Sequence, residues 1–228
     1  VPRHRVLGLL SILWLLLTIG GCSNYELKNL AKSDINLVTD EFIAETRSLV
    51  RELLTKLYRR NPDQLRHGYG TTVEDRLVQI QARPGALSFR ELQGRQEIEA
   101  LELVFDPRFE GDRVFALAVG LGGMLRRAYG YEDEAFMFDT LDPAVLETSA
   151  RNTEILLWRL KNNRQADGTP FLITHEYQGV VDNLSFERLF GKLIALQDMM
   201  ARIAGDADNR RVTKAVHTAT SVFIPLPL

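Results

Sequence analysis

Cysteine is almost absent: in 228 residues there is one, Cys22. No intrachain disulfide can form, and zinc sites or redox pairs built from several thiols are excluded with it. Histidine is scarce as well, at four. His175-Glu176 is followed by Tyr-Gln-Gly, where a zinc metalloprotease helix needs a second imidazole on the same face. Neither charge sign dominates, with 28 Lys and Arg against 30 Asp and Glu, so the surface as a whole offers nucleic acid little attraction. The longest apolar run, Val6 to Ile19, would rise only about 21 Å as a helix, short of the roughly 30 Å of a hydrocarbon core. The glycines form no phosphate loop, because Gly120-Leu-Gly-Gly123 lacks both a following Lys-Ser/Thr and the GxGxxG spacing. Ser149, Ser185 and Ser221 lie outside any Gly-x-Ser-x-Gly elbow. What is present is 45% hydrophobic and 25% charged, a composition that supports a folded core.

The first residues carry a distinct pattern. Arg3 and Arg5 head the apolar run, which ends in Gly20-Gly21-Cys22-Ser23. A basic head, a short greasy stretch and small residues before a cut make a signal peptide rather than a permanent span. The segment Thr18-Ile19-Gly20-Gly21-Cys22 resembles the lipobox of bacterial lipoprotein precursors. That resemblance covers about the first 23 residues and implies that 1–21 is removed and Cys22 acylated. Two or three acyl chains hold a protein on a bilayer where one does so only marginally. Ser23 stands where many inner-membrane lipoproteins have Asp, so the resemblance also implies the outer membrane, with the domain in the periplasm. Residues 22–38 then read as a lipidated tether and 39–228 as a single, mainly helical domain.

Within that domain the hydrophobic spacing is helical. Phe42, Thr46, Leu49, Leu53 and Leu57 form one stripe, and Thr39 is placed to cap a helix running from Asp40 to Arg60. Thr72 and Asp75 predict a second helix over 73–81. Ser88 and Glu91 have the same capping-box spacing and predict a helix to Phe105. Val114 to Leu125 holds no charged or strongly polar side chain and three glycines. It reads as a central apolar helix rich in Gly and Ala, with a pair of buried strands turned at Gly122-Gly123 as the competing reading. Asp142-Pro143 starts a helix to about Lys161. Ser185 caps another to Ile203, with Met199 and Met200 as core filler, and a final helix spans 208–220. Residues 162–170 form a hydrophilic hinge. The fold class is therefore mostly α: a compact multi-helix bundle around that central helix.

Chemistry is harder to find. Glu132, Asp133, Glu134 and Asp139 cluster beside Tyr129 and Tyr131, a combination suited to lining a binding groove, where aromatics supply area and acids supply orientation. The cluster lacks the alternating ligands of an EF-hand, and closeness in sequence does not build a glycosidase carboxylate pair. His175 reads as a partly exposed loop residue. No cofactor and no metal site is expected. The leading expectation is a lipid-tethered, noncatalytic binding or scaffold protein, whose partners are the bilayer through Cys22 and an envelope protein. Two alternatives stand beside it. A hydrolase would bring 129–142 and His175 into one pocket, and a carrier would hold a lipid or other apolar ligand in a cavity beside the glycine-rich helix.

Overall fold

A computed structural model describes residues 34–68, 72–133, 141–177, 180–181 and 183–207. The leader with Cys22, residues Glu134 and Asp139, the helix expected over 208–220 and the C-terminal tail lie outside the described residues. The chain is mostly α and forms a compact multi-helix bundle. Its helices are α1 (Asp34–Arg60), α2 (Val73–Gln81), α3 (Glu97–Val104), α4 (Arg113–Ala128), α5 (Pro143–Asn162) and α6 (Ser185–Ala207). Short 3-10 turns at Pro62–His67 and Arg90–Leu92 and a two-residue hairpin join them. In the hairpin, β1 (Glu176–Tyr177) runs antiparallel to β2 (Val180–Val181).

Local signals start several of these elements. Thr72 Oγ1 accepts from the Asp75 amide at 3.1 Å while Asp75 Oδ2 accepts from the Thr72 amide at 3.0 Å, a reciprocal cap that satisfies two otherwise orphaned donors. Asp142 accepts from the Ala144 amide at 2.9 Å ahead of Pro143, and Asp112 accepts from the Phe115 amide at 2.9 Å.

Other boundaries differ from the sequence expectation. Helix α1 begins by Asp34 rather than at Asp40, and Thr39 is buried within it. Asn36, Thr39, Ile43 and Thr46 are all buried at helical spacing, so the inward stripe extends backwards through the expected cap. The helix expected over 88–105 is broken. Glu91 is drawn to Arg76 by two hydrogen bonds of 2.8 and 2.9 Å, and Ser88 Oγ donates to the Gly94 carbonyl. Gln93 and Gly94 then take φ of 59° and 75°, a left-handed turn that no α-helix passes through. Met200 is buried, but Met199 is 46% exposed, because it faces outward on α6.

Residues 114–125 form a helix, not strands, and every residue from Arg113 to Leu125 is buried. At Gly120 an added Cβ would lie 2.6 Å from Leu101 Cγ and 2.8 Å from the Glu97 carbonyl oxygen. Helix α3 therefore rests directly on the α4 backbone. Arg113 fixes the far end of that contact: its guanidinium donates to the carbonyls of Leu103, Val104, Asp106 and Phe109 at 2.8 to 3.0 Å, closing the C-terminus of α3. Helices α5 and α6 pack antiparallel, tied by Arg151 to Asp198 at 2.6 Å and Lys161 to Glu187 at 3.2 Å, so the 162–170 hinge joins packed neighbours.

The apolar interior has two parts. The larger gathers α1 from Leu49 onward with α3, α4, the second half of α5 and the start of α6. The smaller unites Ile43, Ala128, Tyr129, Leu146, Met200, Ala201 and Ala204. Between them runs a belt of buried polar side chains: Thr46, Ser149, Thr153 and Gln197.

Candidate functional site

A cavity of about 100 Å³ opens at this seam, between α1, α2 and α4. Ile43 and Tyr129 of the smaller cluster line one side, and Leu54, Ile80 and Leu125 of the larger cluster line the other. Gly122 gives it a wall without a side chain. Apolar cavities of roughly this size admit small apolar molecules; one of about 150 Å³ binds benzene.

Tyr129 is carried there by the end of α4. The Gly130 amide donates to the Arg127 carbonyl at 2.9 Å and the Tyr131 amide to the Arg126 carbonyl at 2.7 Å, a Schellman closure that requires a left-handed residue after the cap. Gly130 supplies it, with φ 69°, and Tyr131 follows at 64°. This turn parts the residues that sequence places side by side. Tyr129 points inward and is 3% exposed. Tyr131 folds back to donate its hydroxyl to Glu97, whose other oxygen meets Arg127 at 3.3 Å. Burial and the Glu97 carboxylate push the Tyr131 phenol up to about 12. Glu132 and Asp133 continue to the rim of the cavity, where Arg47 donates to the Glu132 carbonyl and pairs with the Asp133 carboxylate.

Two of the lining residues, Thr46 and Tyr129, meet a third buried polar side chain, Gln197, behind the cavity wall. The Tyr129 phenol has the Thr46 hydroxyl and the Gln197 amide as its hydrogen-bonding neighbours, and a phenol oxygen both accepts and donates. All three groups are buried. Burial pushes the Tyr129 phenol up to about 12, keeping its proton in place as a donor at neutral pH.

The mouth is basic but mostly committed. Arg126 donates to the carbonyls of Ile80, Arg83 and Gly85 at 3.2, 2.7 and 3.3 Å, closing the end of α2. Arg51 faces the Gln81 amide, whose oxygen accepts from Nη2 at 2.6 Å and Nε at 3.1 Å when turned toward it.

Of the residues read from sequence, Tyr129, Glu132 and Asp133 reach this cavity or its rim, and Tyr131 stands beside it on Glu97. His175 does not. It is buried rather than partly exposed, at 6%, with Nδ1 3.1 Å from Thr174 Oγ1. The neighbouring Ile173 exchanges hydrogen bonds with Asn61, just past the end of α1. From Thr46 to Asn61 is roughly 22 Å along a helix, so His175 and the 129–133 segment share no pocket. A hydrolase site built from the two together is not what the described residues form.

Sequence reading missed Thr46 and Gly122 as site residues. The available signal for Thr46 was a polar side chain on the apolar stripe of α1. Among the described residues, no group of three or more His, Cys, Asp or Glu is placed to hold a metal ion, and no helix is long and apolar enough to cross a membrane. The chain matches no protein-family model, no curated protein and no solved structure.

Proposed function

We propose that this chain is a noncatalytic envelope lipoprotein, held on the bilayer through acylated Cys22, whose helical domain carries a small apolar ligand or the end of a longer apolar chain. The apolar cavity at the seam is the observation that carries this reading. A close-packed interior tolerates few voids, and this one combines apolar walls with a rim of charged side chains. Helix α4 supplies one wall of the cavity through Gly122, Leu125 and Arg126. The lipobox resemblance of the leader supports the anchor, and the outer membrane is its destination in this reading.

Two variants test the parts separately. Cys22→Ala abolishes lipid labelling and shifts the protein out of the detergent-extracted membrane fraction; membrane retention unchanged and without lipid label defeats the anchor. Val50 lines the cavity from α1, and Val50→Phe fills it. Mass spectrometry of protein purified from envelopes is expected to find an apolar small molecule in the wild type that is depleted at least tenfold in Val50→Phe. Equal recovery from both, or none from either, overturns the carrier reading.

A further inference from the structure

The mouth of the cavity carries charge that its hydrogen bonds do not cancel. Arg47 and Arg51 stand one turn apart on α1, Arg126 comes from α4, and all three line the cavity. Like charges one turn apart repel. Burial together with the Arg47 charge pulls the Arg126 guanidinium below its ordinary value, and Asp133 offsets part of this. Two carboxylates stand against the three cations: Asp133, paired with Arg47, and Glu132 at the rim. Arg126 is held by backbone carbonyls and Arg51 by the Gln81 amide, and among the described residues neither guanidinium forms an ion pair. Neutral acceptors take the N–H groups and leave the positive charge in place. The mouth therefore keeps an excess of one positive charge beside an apolar interior. A neutral ligand would leave that excess to water, and a cationic one would add to it. A carboxylate matches it in sign and magnitude. Arg51 and Gln81 are both exposed, so Arg51 is free to exchange the amide oxygen for a charged one, whose hydrogen bonds are about twice as strong. The planar guanidinium also fits a carboxylate with two parallel bonds. Resting on the carrier reading above, we infer that the ligand is an anionic amphiphile, a fatty-acid-like molecule whose apolar chain lies in the cavity and whose carboxylate sits at the mouth against Arg51, beside Arg47 and Arg126.

The test uses hexanoate, 1-hexanol and hexylammonium, which share one chain length and differ in head-group charge. Each is titrated calorimetrically at neutral pH into the full chain in phosphatidylcholine nanodiscs, with empty nanodiscs as the blank for partitioning. Hexanoate is expected to bind about tenfold more tightly than 1-hexanol, and hexylammonium most weakly. Arg51→Gln is expected to cut the preference for hexanoate over 1-hexanol below about threefold, whereas Asp133→Asn, which releases Arg47, is expected to raise it by about threefold. Both positions are exposed, and 1-hexanol is expected to bind each variant as it binds the wild type, which separates loss of charge from loss of fold. Equal binding of hexanoate and 1-hexanol to the wild type, or a preference for hexylammonium, overturns the inference and leaves the carrier reading standing. A preference for hexanoate that does not move in these two opposite directions overturns it as well. Binding of none of the three defeats the carrier reading itself, and the inference with it.

Discussion

Arg76 shows how one residue holds distant segments together. Its side chain is fully buried, paired with Glu91 at 2.8 Å and Asp112 at 3.2 Å, and its guanidinium carbon lies 4.0 Å from the centre of the Phe115 ring. Tyr58 donates to Asp112 at 2.7 Å, so α1, α2, the 3-10 turn at Arg90–Leu92 and the start of α4 meet at this point. Gly68 covers it, and a Cβ there would fall 1.6 Å from Arg76 Nη2. Removing one partner of a buried charge group costs about 3–5 kcal/mol, and Arg76→Met is expected to lose that much in urea unfolding. Adding Asp112→Asn is expected to restore part of the loss, because it removes one of the two stranded carboxylates and keeps an oxygen for the Phe115 amide. The pH dependence follows. Burial already raises the Asp112 carboxyl above its usual range, and loss of Arg76 raises it further. A carboxyl raised by folding contributes stability at low pH that is lost as pH climbs through its folded value. The deficit of Arg76→Met is therefore expected to be smaller at pH 5 than at pH 7.

At the scale of elements, two glycines of α4 separate packing from propensity. Gly120 lies under α3 with no room for a methyl group, and Gly120→Ala is expected to destabilise by about 1–3 kcal/mol through overpacking. Gly122 faces the cavity, where an added Cβ would meet Leu87 Cδ1 at 3.6 Å and Val50 Cγ1 at 4.0 Å, ordinary contacts. Gly122→Ala is expected to gain up to about 1 kcal/mol of helix propensity, and paired urea melts distinguish the signs. The same division explains what was legible beforehand. The caps at Thr72 with Asp75 and at Asp142-Pro143 act within three residues, and both helices begin where those signals stand. Ser88 with Glu91 carries an identical local signature, but Arg76, fifteen positions earlier, takes the carboxylate and the helix does not form. The cavity belongs to this second kind. Its walls come from 43–54, 77–81 and 122–132, so no local spacing encodes it. Tyr129 was visible as an aromatic beside acids, while Thr46 acquires meaning only when α1, α2 and α4 come together.

Across the whole molecule, the polar belt is the feature with the widest reach. The larger apolar cluster is continuous through α1, α3 and α4, whereas the smaller one joins α6 beyond Met200 to the start of α5 and the first half of α1. A boundary poor in apolar contact is where a protein opens in part before it opens in full. Native-state hydrogen exchange is expected to find amides near 200–204 opening at lower free energy than those of 114–125, and a single uniform opening energy would contradict this. The seam is then a fault line as well as a socket. A molecule lodged across it would lock the two halves to each other, and its departure would let the outer part breathe while the inner part kept its shape.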